Sequence, residues 1–232
     1  MKSARPDVLP SAADKPRAVE EMFDRIAPRY DLLNRVLTLR MDVGWRRTAV
    51  SELRLDPGAV VLDLACGTGD LCRELTRQSL TPIGVDFSAG MLRHVRGRAS
   101  FVRGDALVLP FPDHSVRGIV SGFALRNFAA VDPFLSECAR VLRRGGRVAL
   151  LDVAEPGSPQ VRALHGVWFR KVVPFIGGIV SDRSAYEYLP ASTTYLPLPA
   201  ELALAIARAG FDQVEQRTLG FGAAQLLTGT RR

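Results

Sequence analysis

A chain of 232 residues, 47% hydrophobic and 24% charged, holds enough apolar material for one α/β domain with some lid structure. It has no apolar run long enough for a membrane-spanning helix and no signal-peptide stretch, so a cytoplasmic protein is expected, and its three cysteines lack the spacing of a disulfide framework or metal site. The net charge of +7 comes from arginines scattered along the chain rather than gathered in a block, which gives nucleic acid little support as a partner.

Residues 1–16 hold three prolines and few large apolar groups, and read as a disordered tail ahead of a single domain over 17–232. Phe23, Ile26, Tyr30, Leu33 and Leu37 recur at helical spacing, and Pro28 divides them into two helices meeting near Ala27. A third helix is expected over Val43–Leu53, and Asp56-Pro57-Gly58 then turns the chain. These elements, over 17–56, read as a helical lid or as plain packing.

Val60–Leu64 is a short apolar run interrupted by Asp63, as suits a strand buried on both faces. It stops at Gly67-Thr68-Gly69. A helix is expected from Asp70 to Gln78, and a second strand ends in Asp86. Gly67 and Gly69 allow a sharp turn and close approach of a ligand, and Asp86 can accept from a ribose diol. An adenosine-containing cofactor is the economical reading; a turn that only packs strand on helix is the bland one. The dinucleotide fingerprint wants a third glycine where Cys72 stands, and Asp63 and Asp70 poorly suit a pyrophosphate. They suit a cation better, and S-adenosylmethionine carries a sulfonium and an ammonium group.

Ser88 is placed to cap a helix containing Met91 and Leu92. A strand near Ser100–Val102 leads to Gly104-Asp105-Ala106, and a fourth, Gly118–Ala124, ends at Leu125-Arg126-Asn127. A helix is expected over Pro133–Leu142, ended by Gly145-Gly146, with a fifth strand at Arg147–Val153. Alternation of strand and helix implies a parallel sheet with ligands at the carboxyl ends of its strands. Residues 159–190 break the alternation with an apolar segment that would roof a pocket or add core. A last helix over Leu202–Ala209 and two strands near Gln213–Thr218 and Ala223–Thr230 would close an antiparallel edge.

Together these pieces resemble the class I S-adenosylmethionine methyltransferases that C-methylate quinones in ubiquinone and menaquinone synthesis. The carriers are FDRIAPRYDLLNRVLTLRMDVGWRR (23–47), LDLACGTGDL (62–71), GVDFSAGML (84–92), GDALVLPFPD (104–113), FALRNF (123–128), RVLRRGGR (140–147) and YEYL (186–189). The resemblance implies a Rossmann-like methyltransferase sheet with N-terminal helices and a helical insertion capping the active site. It implies that Thr68, Asp86, Asp105, Ala106 and Gly122 contact S-adenosylmethionine, Gly122 where a serine is common. The substrate implied is a polyprenylated quinol, demethylmenaquinol above all, reached by peripheral contact with an anionic membrane through the insertion. Removing a phenolic proton would make the neighbouring ring carbon nucleophilic toward the sulfonium methyl. Arg126 would steady the phenolate and Asn127 donate to it, the alternative for Arg126 being a buried ion pair that holds the loop. Asp152, Asp31, Tyr30 and Tyr186 are the candidate bases. Departures at Val116-Arg117, Arg144, Asp152-Val153-Ala154 and Gln225 leave open another small aromatic or natural-product substrate.

Overall fold

In the computed structural model, which describes residues 14–154 and 192–232, seven strands form one sheet. They are β1 (Val60–Leu64), β2 (Thr81–Asp86), β3 (Ser100–Arg103), β4 (Val116–Gly122), β5 (Leu142–Val153), β6 (Phe211–Leu219) and β7 (Ala224–Arg231). Their order is β3-β2-β1-β4-β5-β7-β6. The first five run parallel, and β7 enters antiparallel between β5 and β6. The antiparallel edge is therefore as expected, with the final strand one place inside it.

The pleat divides the core. Leu62, Leu64, Ile119 and Leu150 face one side, where they meet α6 (Val131–Val141) and α7 (Pro199–Arg208) through Phe134, Leu135, Cys138, Leu202 and Ile206. Val61, Val120, Ala149 and Leu151 face the other, against Trp45, Val50 and Leu53 of the α3 region (Met41–Ser51) and Leu71 and Leu75 of α4 (Asp70–Arg77). Alternate residues of each buried strand thus supply both layers, which is why these runs are predominantly apolar.

The N-terminal helices α1 (Lys15–Ile26) and α2 (Tyr30–Leu37) are joined by a 3₁₀ turn over Ala27–Arg29, where Pro28 required a break. Met22, Ile26, Ala27 and Leu33 pack on Met91 of α5 (Ala89–Arg93), so the lid helices form their own small core over the end of β2. Lys15 lies inside the stretch read as tail. It already belongs to α1, and its Nζ donates to the Phe128 carbonyl at 2.8 Å.

The junction of α6 with β5 differs from the expectation. Gly145-Gly146 does not end α6; the helix stops at Val141 and β5 starts at Leu142. Val116 pairs with Leu142 and Gly118 with Arg147, so residues 143–146 bulge out of the strand, with Gly145 at φ 72°. The glycines serve the bulge instead. The insertion at 159–190, Tyr186 and the YEYL segment lie outside the described residues.

Candidate active site

Between β1 and α4 the chain turns through three left-handed residues, Ala65, Gly67 and Gly69. This lifts the backbone toward the carboxyl edge of the sheet. Asp86, at the end of β2, fixes the turn: its Oδ2 accepts from the Gly67 N–H at 2.7 Å and its Oδ1 from the Ser88 N–H at 2.8 Å. Burial raises its pKa to about 6. Each carboxylate oxygen keeps a second lone pair, so Asp86 can still accept from a ligand diol.

Ser88 caps α5 as expected, its Oγ accepting from Met91 N–H at 2.9 Å. The same hydroxyl donates to Asp24, which also accepts from Gly90 N–H at 2.8 Å. Gly90 must be glycine for this approach, because a Cβ there would stand 2.5 Å from Asp24 Oδ1. Asp24 was not read from the sequence. It lies more than 60 residues from its partners, and no local pattern reports such a link.

A single cavity is lined at one end by Gly67, Asp86, Asp105, Ala106 and Gly122, and elsewhere by Val19, Phe23, Tyr30, Phe123, Asn127 and Phe128. Asp105 is exposed and holds its own loop by accepting from Leu107 N–H at 2.9 Å. At Gly122 a Cβ would meet Leu71 Cδ1 at 2.9 Å, so the serine common at that place would require the end of that leucine to shift.

Five of the site residues named from sequence stand outside the cavity lining: Asp63, Thr68, Gly69, Arg126 and Asp152. Asp63 is wholly buried beneath the loop, accepting from Cys72 N–H at 3.1 Å and from its thiol. Thr68 donates its hydroxyl to Asp31, tying α2 to the loop. Gly69 starts α4. Asp70 lies against Arg35, Arg46 and Arg73. Asp63 and Asp70 are therefore not placed to await a cationic ligand: one faces the core and the other has three guanidinium partners.

The candidate base Asp152 meets a similar correction. It is wholly buried and paired with Arg126, and it also accepts from the Leu125 and Val153 N–H groups at 2.9 and 2.7 Å. A carboxylate so engaged, and off the cavity wall, is no proton acceptor for substrate. The ion-pair reading of Arg126 fits this geometry. Asp31, held by Thr68 and 3.6 Å from Arg73, is likewise occupied. Of the expected bases within the described residues, only Tyr30 lines the cavity. Burial raises its pKa, against the opposing pull of Asn34, Arg46 and Arg126, so its phenol stays a proton donor near neutrality.

Asp63 carries a pH signature. Burial pushes its pKa up to about 7. A raised folded-state value means that its contribution to stability is complete below the ordinary carboxylate range and is lost as pH rises through about 7. Asp63→Asn keeps an acceptor for Cys72 N–H and removes the buried charge. The variant should therefore lose less thermal stability than the parent between pH 6 and 8, as melting curves across that window would read. Identical pH profiles would show that Asp63 does not titrate there.

The ubiE/COQ5 methyltransferase family model matches residues 11–231. A demethylmenaquinone methyltransferase of Roseiflexus castenholzii is 42% identical over 97% of the chain and 98% of its own length. A ubiquinone/menaquinone biosynthesis C-methyltransferase of Geobacter sulfurreducens is 37% identical over 94% of the chain and 90% of its own. Among solved structures, an S-adenosylmethionine-dependent methyltransferase of Thermotoga maritima superposes with a TM-score of 0.65 at 20% identity, covering 92% of this chain and 99% of the other. That likeness speaks for the fold.

Proposed function

This chain belongs to the ubiE/COQ5 methyltransferase family, and from that premise we propose that its cavity methylates a ring carbon of a polyprenylated quinol, converting demethylmenaquinol to menaquinol. The enzyme is an S-adenosylmethionine-dependent C-methyltransferase. The observation that carries the reading is the cavity itself, which joins the Gly67–Asp86–Asp105 edge to an aromatic wall of Phe23, Tyr30, Phe123 and Phe128.

The residues present fit the cofactor. A left-handed glycine turn leaves backbone open to the cavity, Asp86 keeps acceptor capacity for ribose hydroxyls, and Asp105 can accept from the adenine amino group. When bound, S-adenosylmethionine would supply an electrophilic methyl group: the bond from methyl to ring carbon would form as the methyl–sulfur bond breaks, the neutral thioether would leave, and the displaced ring proton would pass to water. Everything else falls to the protein. The aromatic wall holds a flat ring and keeps water out. Tyr30 donates to the developing phenolate, its hydroxyl in the field of Arg46 and Arg126. Asn127, on the same wall, is a second donor. Arg126 and Asp152 act behind the wall, holding the segment that presents Asn127.

The test is turnover of a reduced, short-chain desmethylnaphthoquinol by purified enzyme. Methylated product is expected, with Tyr30→Phe lowering kcat by about 10- to 100-fold through loss of one hydrogen bond to a charged oxygen. Binding of S-adenosylmethionine should be unchanged in that variant. No product with the naphthoquinol would sink the substrate reading, and full activity of Tyr30→Phe would remove the tyrosine from the mechanism. No helix among the described residues is long and apolar enough to cross a membrane, so a lipid-soluble substrate calls for contact at the membrane surface. The segment first expected to make that contact, within 159–190, lies outside the described residues.

A further inference from the structure

We infer that the surface formed by α2, the start of α3 and the β6–β7 turn docks on an anionic lipid bilayer. The inference rests on the reading of the substrate as lipid-soluble. Phe221 is 87% exposed at the tip of that turn, with φ at 56°. A large apolar side chain in water, on a backbone that Gly or Asn adopts more easily, is costly twice over. The turn is not loose: Gly220 lies against the Trp45 indole so closely that a Cβ would come within 2.4 Å of Cζ2.

Trp45 in turn connects the tip to α3. Met41, one helical turn before it, is exposed, and so is Leu39, at 62% and again with positive φ. Leu32 is the exposed apolar residue of α2. Scattered apolar side chains on a surface need no explanation. These are accompanied by charge of one sign: every exposed charged residue from 25 to 47 is an arginine. An anionic leaflet offers both a negative surface and an apolar interior to such a face. A second copy of the chain does not, because a two-fold contact would oppose arginine to arginine.

Position supports the same partner. Ala224, just after the turn, pairs with Val153 at the carboxyl end of β5, so Phe221 stands on the edge of the sheet that carries the cavity. Tyr30, in the cavity wall, opens α2. A quinol leaving the bilayer at this face would have the cavity beside it.

Flotation with vesicles of phosphatidylglycerol and phosphatidylcholine tests the surface directly. The parent protein should float with them, less with phosphatidylcholine alone, and less at high salt. Phe221→Asn combined with Leu39→Asn suits both left-handed backbones and touches no cavity residue; its partition into the anionic vesicles should fall by about tenfold. Its turnover of the soluble short-chain quinol should match the parent, while turnover of a long-chain quinol embedded in vesicles should drop with the partition. Equal flotation of parent and variant, no flotation of the parent, or a dimer formed through this face would each overturn the docking surface. Failure of both proteins on the soluble quinol would overturn the substrate reading instead, leaving flotation as the independent measure.

Discussion

Asp86→Asn should abolish measurable binding of S-adenosylmethionine in calorimetry, an affinity loss of about 100-fold or more, while the chain stays folded. The carboxylate accepts the Gly67 and Ser88 N–H groups on its two oxygens, and in the proposed complex accepts two ribose hydroxyls as well. An asparagine has one acceptor oxygen. Its amide nitrogen would face an N–H donor, leaving that donor unpaired in a buried place and one ribose hydroxyl without a partner. Bonds to a charged acceptor contribute roughly 1.5–3 kcal/mol each, and each 1.4 kcal/mol is tenfold in affinity, which sets the scale.

The parent protein should lose affinity too as pH falls through about 6, where Asp86 takes up a proton. Its stability contribution runs the opposite way: present below the ordinary carboxylate range, it is lost as pH rises through about 6. Ionised Asp86 therefore weakens the free protein and strengthens the cofactor site. Binding that survives in Asp86→Asn with parental affinity, or stays level from pH 8 to pH 5, would remove Asp86 from the cofactor site.

The strand–turn–helix unit was legible because its signals are local. The run Val60–Leu64, the glycines after it and the acid at Asp86 sit within one short stretch, and the structure keeps those boundaries. Ser88 was readable for the same reason, since a cap lies three residues from its partner. The direction of side chains was harder. Asp63 shares the face of β1 with Val61, whose core includes α4, so alternation along the strand points Asp63 at Cys72 rather than at a ligand. Asp70 misled for another reason. Its arginine partners at 35 and 46 come from α2 and α3, and only the fold brings them together. The lid's attachment through Asp24 was illegible on the same ground, as was the bulge that claimed Gly145-Gly146.

Asp152→Asn should destabilise the chain severely, by about 3–5 kcal/mol, because it strands the Arg126 guanidinium in a buried site. For a domain of this size that corresponds to a fall in melting temperature of roughly 10 °C. The double replacement Arg126→Gln with Asp152→Asn removes both charges and should recover much of that loss, since neither partner is left ionised and alone. Activity separates the two roles that Arg126 was given. If it only holds the Leu125–Asn127 turn, the double variant should regain turnover together with stability, with the KM for quinol raised and kcat near the parent. If Arg126 itself steadies the phenolate, stability would return while kcat stayed depressed by 100-fold or more. The geometry favours the first outcome. Arg126 is buried against Asp152 and Asn127 lies on the wall, so the ion pair acts on the substrate only through the residue it positions.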